Sequence, residues 1–412
     1  MYGGRGGNYR GGVWYTPSND APRDGGYCST GPQYHGGVPN HRSNNTRRGS
    51  RSDSETLICR HNAVHDRCRF GSKCLYKHTL KRVLLLHEIC RSGVICLAFC
   101  RLSDSRVEIF VTGQGTNVKR LALVGDNHGS VSLLEQQSFT INLQEALHKA
   151  VQSRGRRLPD QVIFSLKCIN DCLFAGLRTG HISVFHIPTG TSTLIHGHSE
   201  PVTSIILVDT AVLSACEAGK ICIWSFDSVM NSFSCVNSLE TKTTITCLLE
   251  VADGLNRHLW AGGNAITVID LATFAIVRTM PIPNGDFAKI MMRYGQHIIV
   301  ALNSGECVVL SPNGELVYQS GGYGPELIAM DGIQTERGDL LLLGNKMGAL
   351  NVVHLPAFQL EGVLQCNFDV PRNVKWSGIS VISSLGGGLF VIGGYDGNAH
   401  LFRYIDHPEN TY

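Results

Sequence analysis

From residue 82 onward, apolar side chains recur in short alternating bursts, each followed by a turn and a second burst. Alternation at a period of two is the pattern of a half-buried strand, and two such runs around a short turn predict a β-hairpin. The unit occurs seven times: LALVGDNHGSVSLLE (121–135), LFAGLRTGHISVFHI (173–187), VLSACEAGKICIWSF (212–226), LWAGGNAITVIDL (259–271), IIVALNSGECVVL (298–310), LLLLGNKMGALNVVHL (340–355) and LFVIGGYDGNAHLFRY (389–404). The first inward position of the second strand falls at Val131, Ile182, Ile221, Ile266, Cys307, Leu350 and Ala399, with gaps of 51, 39, 45, 41, 43 and 49 residues. Six of the seven carry glycine two places earlier, at Gly129, Gly180, Gly219, Gly305, Gly348 and Gly397, and the exception, at Gly263-Asn264, has a turn two residues shorter. A hairpin repeat of this period predicts four-stranded blades in a ring, so the fold class is all-β: a seven-bladed β-propeller over residues 82–405. An open ring would expose a strand edge, which assigns residues 82–87 to the outer strand of the last blade.

The first unit is irregular. Residues 101–119 add a segment in which 107–112 is apolar enough to be another strand. Within the 51-residue gap, 139–151 sets Leu143, Leu147 and Ala150 on one face of a predicted helix, and Arg154, Arg156 and Arg157 follow, which suits a solvated loop more than an RNA contact. Residues 1–56 are rich in Gly, Arg, Asn and Ser and predict an arm unable to bury a core. Its RGG-type elements, Gly4-Arg5-Gly6-Gly7 and Arg10-Gly11-Gly12, lie near Tyr2, Tyr9, Trp14 and Tyr15, which suits either weak RNA contact or a plain solvated tail. Residues 406–412 are assigned to a tail.

Charge divides the chain. The whole carries +3; residues 1–80 hold 12 Lys/Arg and 5 Asp/Glu, or +7, which leaves −4 for residues 81–412. A basic arm on a near-neutral body points to a polyanion partner for the arm alone. With 43% hydrophobic and 17% charged residues, most of the 412 predict a packed body. Of the 15 cysteines, three fall within residues 57–80 and the other twelve are scattered, many inside apolar runs such as Val94-Ile95-Cys96-Leu97, and the opening MYGGRGGNYRGG holds no apolar signal segment. Reduced, buried thiols in an intracellular protein, cytoplasmic or nuclear, are therefore expected. No apolar run reaches the roughly 18 residues that a membrane span needs.

Between the arm and the first strand, residues 57–80 contain CRHNAVHDRCRFGSKCLYKH, beginning at Cys59. Cys59, Cys68, Cys74 and His78 are separated by eight, five and three residues. Three thiolates and an imidazole make a closed tetrahedral zinc shell with no place for substrate, so Zn2+ here would be structural. The segment is too short for a core of its own, and metal binding would supply its folding energy. Arg60, Arg67, Arg69, Lys73 and Lys77, interleaved with Phe70 and Tyr76, offer charge for a phosphate backbone and ring faces for bases. The spacing resembles the CCCH zinc fingers of RNA-binding proteins, and the run from Arg67 to His78 resembles the second half of a tristetraprolin-type finger. That resemblance implies that Phe70 and Tyr76 stack on single-stranded bases. The family's basic-aromatic lead-in is replaced here by Ser54-Glu55-Thr56-Leu57-Ile58.

The hairpin units in turn resemble degenerate WD repeats. The best runs from Gly197-His198 through Ser214 to Trp224, with Ala218 where the family has Asp; Asp396-Gly397 keeps the Asp in the last unit, with Phe402 in place of Trp. No phosphate-binding, nucleophile-elbow, zincin or dinucleotide motif is present, so neither an enzyme nor a small-molecule substrate is expected. The whole is similar to proteins that place CCCH fingers ahead of a WD-repeat propeller. This resemblance implies an RNA-binding adaptor in mRNA metabolism, with single-stranded RNA on the finger and protein complexes on the propeller. The alternative is a protein-protein scaffold, such as a ubiquitin-ligase substrate receptor, with a purely structural finger.

Overall fold

β-branched and aromatic residues at alternate positions favour pleated, half-buried strands, and tight glycine turns leave each strand no choice but to pair with the one before it. In the computed structural model the residues described are 57–86, 93–101, 106–113, 115–125, 130–141, 162–228, 232–254, 256–366 and 378–406. Among them, 28 strands form seven four-stranded sheets, every pairing antiparallel. Blade 1 comprises Cys96–Arg101, Arg106–Thr112, Asn117–Gly125 and Val131–Thr140. Blades 2 to 6 occupy 163–196, 202–240, 245–281, 288–319 and 327–365, and blade 7 occupies 379–404. The seven-bladed propeller expected from the repeat is thus the fold. No helix among the described residues is long and apolar enough to cross a membrane.

The recurring glycine has a steric cause. Gly180 has φ +80 and Gly305 φ +101. A Cβ there would stand 1.9 Å from the His198 carbonyl oxygen and 1.8 Å from that of Gly324, respectively. Each turn therefore passes against the backbone of the following segment, which only a residue without a side chain permits. The shorter turn of blade 4 makes the same close approach at Gly263, where a Cβ would lie 1.8 Å from the Thr244 carbonyl oxygen, and there the Thr244 N–H also donates to Asn264 Oδ1 at 2.9 Å.

Blade 1 contains the extra strand, as Arg106–Thr112, and there Arg120 makes a two-pronged pair with the buried Glu108. The expected helix fares differently. Phe139 and Thr140 close the strand Val131–Thr140 instead of opening a helix, with Phe139 stacked at 4.0 Å on Phe185 of blade 2. Residues 142–161, with Leu143, Leu147, Ala150 and the three arginines, lie outside the described residues, as do the arm 1–56 and residues 407–412.

The partial WD set in blade 3 is closed by hydrogen bonds. Trp224 Nε1 donates to Ser214 Oγ at 2.7 Å, and the same hydroxyl lies 2.6 Å from His198 Nε2. Burial, with a smaller contribution from Lys220 and His196, holds His198 down at about 4, so the imidazole is neutral and needs no carboxylate at Ala218. In blade 7, burial pushes Asp396 up, but bonds from His400 and Asn398 outweigh it and hold the carboxyl low. Thirteen cysteines are described, none in a disulfide, and burial pushes Cys96 and Cys307 up to about 12, which keeps them inert.

Closure of the ring comes from the N-terminal side. Blade 7 reads Leu80–Leu86, Ala399–Tyr404, Leu389–Gly394, Ile379–Gly386 from its outer edge inward. Leu80 faces Tyr404 and Leu86 faces Ala399, with a register shift between Arg82 and Leu84. The closing strand starts two residues before the expected 82, so Leu80 and Lys81 belong to the blade. Deleting residues 80–86 strips the cover from Ala399–Tyr404 and leaves a bare edge, the geometry that recruits other chains. The expected product elutes as oligomer or aggregate and melts without a cooperative transition. A monomer with a single sharp transition would contradict closure by this strand.

Candidate metal centre

The segment before the closing strand folds through a few local devices. Cys59 caps the helix Arg60–His65 (α1), its Sγ accepting from the Asn62 N–H at 3.5 Å. Asp66 ends the helix at φ +53 and returns its N–H to the Asn62 carbonyl at 3.2 Å. A single 3-10 turn, Gly71–Lys73, follows, entered at Gly71 with φ +48. A short parallel bridge then ties start to finish, with Cys59 N–H donating to the Lys77 carbonyl at 2.8 Å and Lys77 N–H to the Leu57 carbonyl at 2.9 Å. This bridge sets Cys59 beside His78, although 19 positions separate them in the chain (78 − 59).

The result brings all four expected ligands together: one donor atom from each of Cys59, Cys68, Cys74 and His78 lies within 4.8 Å of the others. Metal–sulfur bonds of about 2.3 Å in a tetrahedron put donors roughly 3.8 Å apart, so only a small contraction is needed. Two further features fit a cation. His78 Nε2 is buried with no hydrogen-bond partner, an arrangement that costs free energy unless a metal takes the lone pair. Burial pushes the Cys59 thiol up to about 12, against the Asn62 N–H and with the help of Cys74 and Cys68, and desolvation lowers His78 so that it stays neutral. Three crowded sulfurs cannot all ionise without a cation among them; with one they do so outright. His61 and His65 are exposed and outside the cluster.

Of the residues read as RNA contacts, Arg60, Arg67, Arg69, Phe70, Lys73 and Tyr76 are exposed. The Phe70 and Tyr76 rings are 54% and 45% accessible, and Leu75 beside them 71%. The Arg69 guanidinium sits 4.9 Å over the Phe70 ring, so one face of that ring is occupied by the protein's own cation. Lys77 is placed differently from the rest. Its Nζ donates to the Glu361 carbonyl at 2.6 Å and pairs with the Glu361 carboxylate at 3.2 Å, and His354 Nε2 holds the same carboxylate at 3.0 Å. Lys77 therefore fastens the finger to blade 6.

That attachment is what sequence reasoning missed. Leu57 bridges in parallel to Val363 on the outer strand of blade 6, Gln359–Gln365, and the Ile58 N–H donates to the Val363 carbonyl at 2.9 Å. Ile58, Ala63, Val64 and Leu80 share one apolar cluster with Leu342, Leu350 and Leu364 of blade 6 and Phe390, Phe402 and Tyr404 of blade 7. Lys81 adds an ion pair to Asp66 at 2.8 Å. The available signal was Leu57-Ile58 itself, an apolar pair directly before Cys59: it serves the seat on the propeller.

Comparisons with known proteins bear on the propeller. Residues 89–244 match the family described as WD40 repeated domain. The crystal structure of the WD40 beta propeller domain of Doa1 is similar, with a TM-score of 0.58 at 13% identity over 80% of this chain and 98% of that one. Identity that low shows a shared fold and no more. No curated protein sequence matches. The fold is thus a seven-bladed propeller, part of which matches the WD40 repeated domain, preceded by a Cys3His cluster able to hold a metal.

Replacing Cys68 by Ser is expected to reduce bound metal from one equivalent to near none, read by atomic emission on the purified full chain. Because the finger shares a core with blades 6 and 7, thermal unfolding of the whole body should also fall, by the roughly 4 kcal/mol or more that marks loss of a structural metal. Unchanged metal content would remove Cys68 from the ligand set.

Proposed function

We propose that the protein is a non-catalytic interaction scaffold of the cytoplasm or nucleus, whose structural Cys3His zinc finger is part of the platform. Zinc suits the borderline-soft donor set and supplies folding energy without a reactive position. The observation that carries the reading is the seat of the finger: a main-chain bridge, a half-buried ion pair and a common core fix it to the rim of a closed propeller. A rigid ring with loops at both ends, extended by a fixed module, suits the assembly of protein partners.

A second reading, single-stranded RNA on the finger, is favoured by one observation, the exposure of Phe70 and Tyr76 beside Arg67, Arg69 and Lys73. One experiment separates the two. Tagged full-length protein and a Phe70→Ala/Tyr76→Ala double variant, its zinc content verified, are crosslinked in cells, purified with and without RNase, and read for protein and for RNA. The scaffold reading expects a protein set that survives RNase and is retained by the variant. Recovery of crosslinked RNA that the variant loses, with partners released by RNase, would install the RNA reading, and the lost stacking should then cost about 1–3 kcal/mol per ring.

A further inference from the structure

Blade 5 ends on an unusually short outer strand. Leu316–Gln319 has four residues where the outer strands of the other blades have six to ten. The truncation leaves the neighbouring face of blade 6 uncovered, and a groove of about 610 Å³ opens between the two blades. Aromatic rings pave it. Tyr318 of blade 5 stacks on Phe358 of blade 6 with centroids 4.9 Å apart, Tyr323 and Pro325 form a wall, and Met347 stands 58% exposed at the mouth.

The groove is preformed. The Tyr323 carbonyl accepts from Asn345 Nδ2 at 3.2 Å and from Asn351 Nδ2 at 3.0 Å, and both asparagines are buried. Asn345 Oδ1 in turn accepts from the Met347 and Ala349 N–H groups at 3.0 Å each. The glycine-rich wall is thereby pinned to blade 6. Gly324, at φ +95, permits it, since a Cβ there would lie 2.5 Å from Asn345 Nδ2.

No residue lining the groove is charged, and the ion pair at its margin, Lys346 with Glu326 at 2.6 Å, neutralises itself. A charged segment would lose hydration here and find no counter-charge, whereas an uncharged apolar one matches the surface. Aromatic-paved grooves suit chains already extended in polyproline II form, whose carbonyls are free to accept and whose ordering cost is low. The Tyr318 hydroxyl and Gln365 amide are donors among the lining groups. Val363, which lines the groove, is also the residue whose main-chain carbonyl holds Ile58.

We propose that this groove binds an extended, uncharged, proline-rich segment of a partner protein. The proposal rests on the scaffold reading and gives one of its partners a chemistry. Zinc-loaded full-length protein is titrated against fluorescein-labelled polyproline, with Glu-Gly and Lys-Gly repeat peptides alongside, by fluorescence polarisation. Saturable binding of polyproline alone is expected, weakened at least about tenfold by Met347→Lys and by Tyr318→Ala, each with an unfolding midpoint like that of the parent. Absence of saturable binding, equal binding of a charged peptide, or full binding by both variants would overturn it. So would self-association that Met347→Lys abolishes, because a second copy would then be the occupant. If polyproline fails while RNase-resistant partners are still captured in cells, only the groove falls; if no partners are captured, the scaffold reading falls with it.

Discussion

Everything in this fold depends on the pairing of Leu80–Leu86 with Ala399–Tyr404. Their facing residues Leu80 and Tyr404 are 324 positions apart (404 − 80), and closing a chain of that length costs about 5 kcal/mol of entropy beyond a constant. Main-chain bonds on a bare blade edge and the burial of Leu80, Phe402 and Tyr404 oppose that cost. Buried side chains of this size contribute roughly 1.5–3 kcal/mol each, so a handful suffices, but with little surplus. The seam is therefore where help matters most, and the finger lies on it.

A single residue, Thr79, separates His78 from the start of the closing strand at Leu80, while immediately before Cys59 the Ile58 N–H hangs from the Val363 carbonyl of blade 6. A metal joining Cys59 to His78 consequently joins blade 6 to blade 7. Lys77 at Glu361, Lys81 at Asp66 and the shared apolar cluster run in parallel with that link. A zinc ion held there would act as the clasp of the ring, and its chemical inertness would suit the task. The same rigid attachment fixes the direction in which Phe70, Leu75 and Tyr76 face solvent, and it leaves the opposite face of the blade 6 outer strand to the groove beside Tyr318.

How much of this was legible in the sequence follows from the range of each interaction. The hairpins were, because alternation and a turn glycine are local, and Gly180 and Gly305 sit where a side chain would strike the next segment. The extra strand of blade 1 was legible for the same reason, and the spacing of Cys59, Cys68, Cys74 and His78 pointed to the cluster they form. Phe139 misled: a helical period in the residues after it could not reveal that its ring stacks on Phe185 in the next blade. Lys77 read as one more cation in a basic run because Glu361, its partner, lies 284 positions away. The groove left no local mark, since it arises from the shortness of the blade 5 outer strand, Leu316–Gln319.

The clasp account is tested most directly by hydrogen–deuterium exchange of the full chain before and after chelation of its metal. Loss of protection is expected to spread from residues 57–78 into Gln359–Gln365 and Leu80–Leu86, with blades 2 to 4 unchanged. Deprotection confined to residues 57–78, with both strands as slow as before, would show that the finger merely rests on a ring that closes without it.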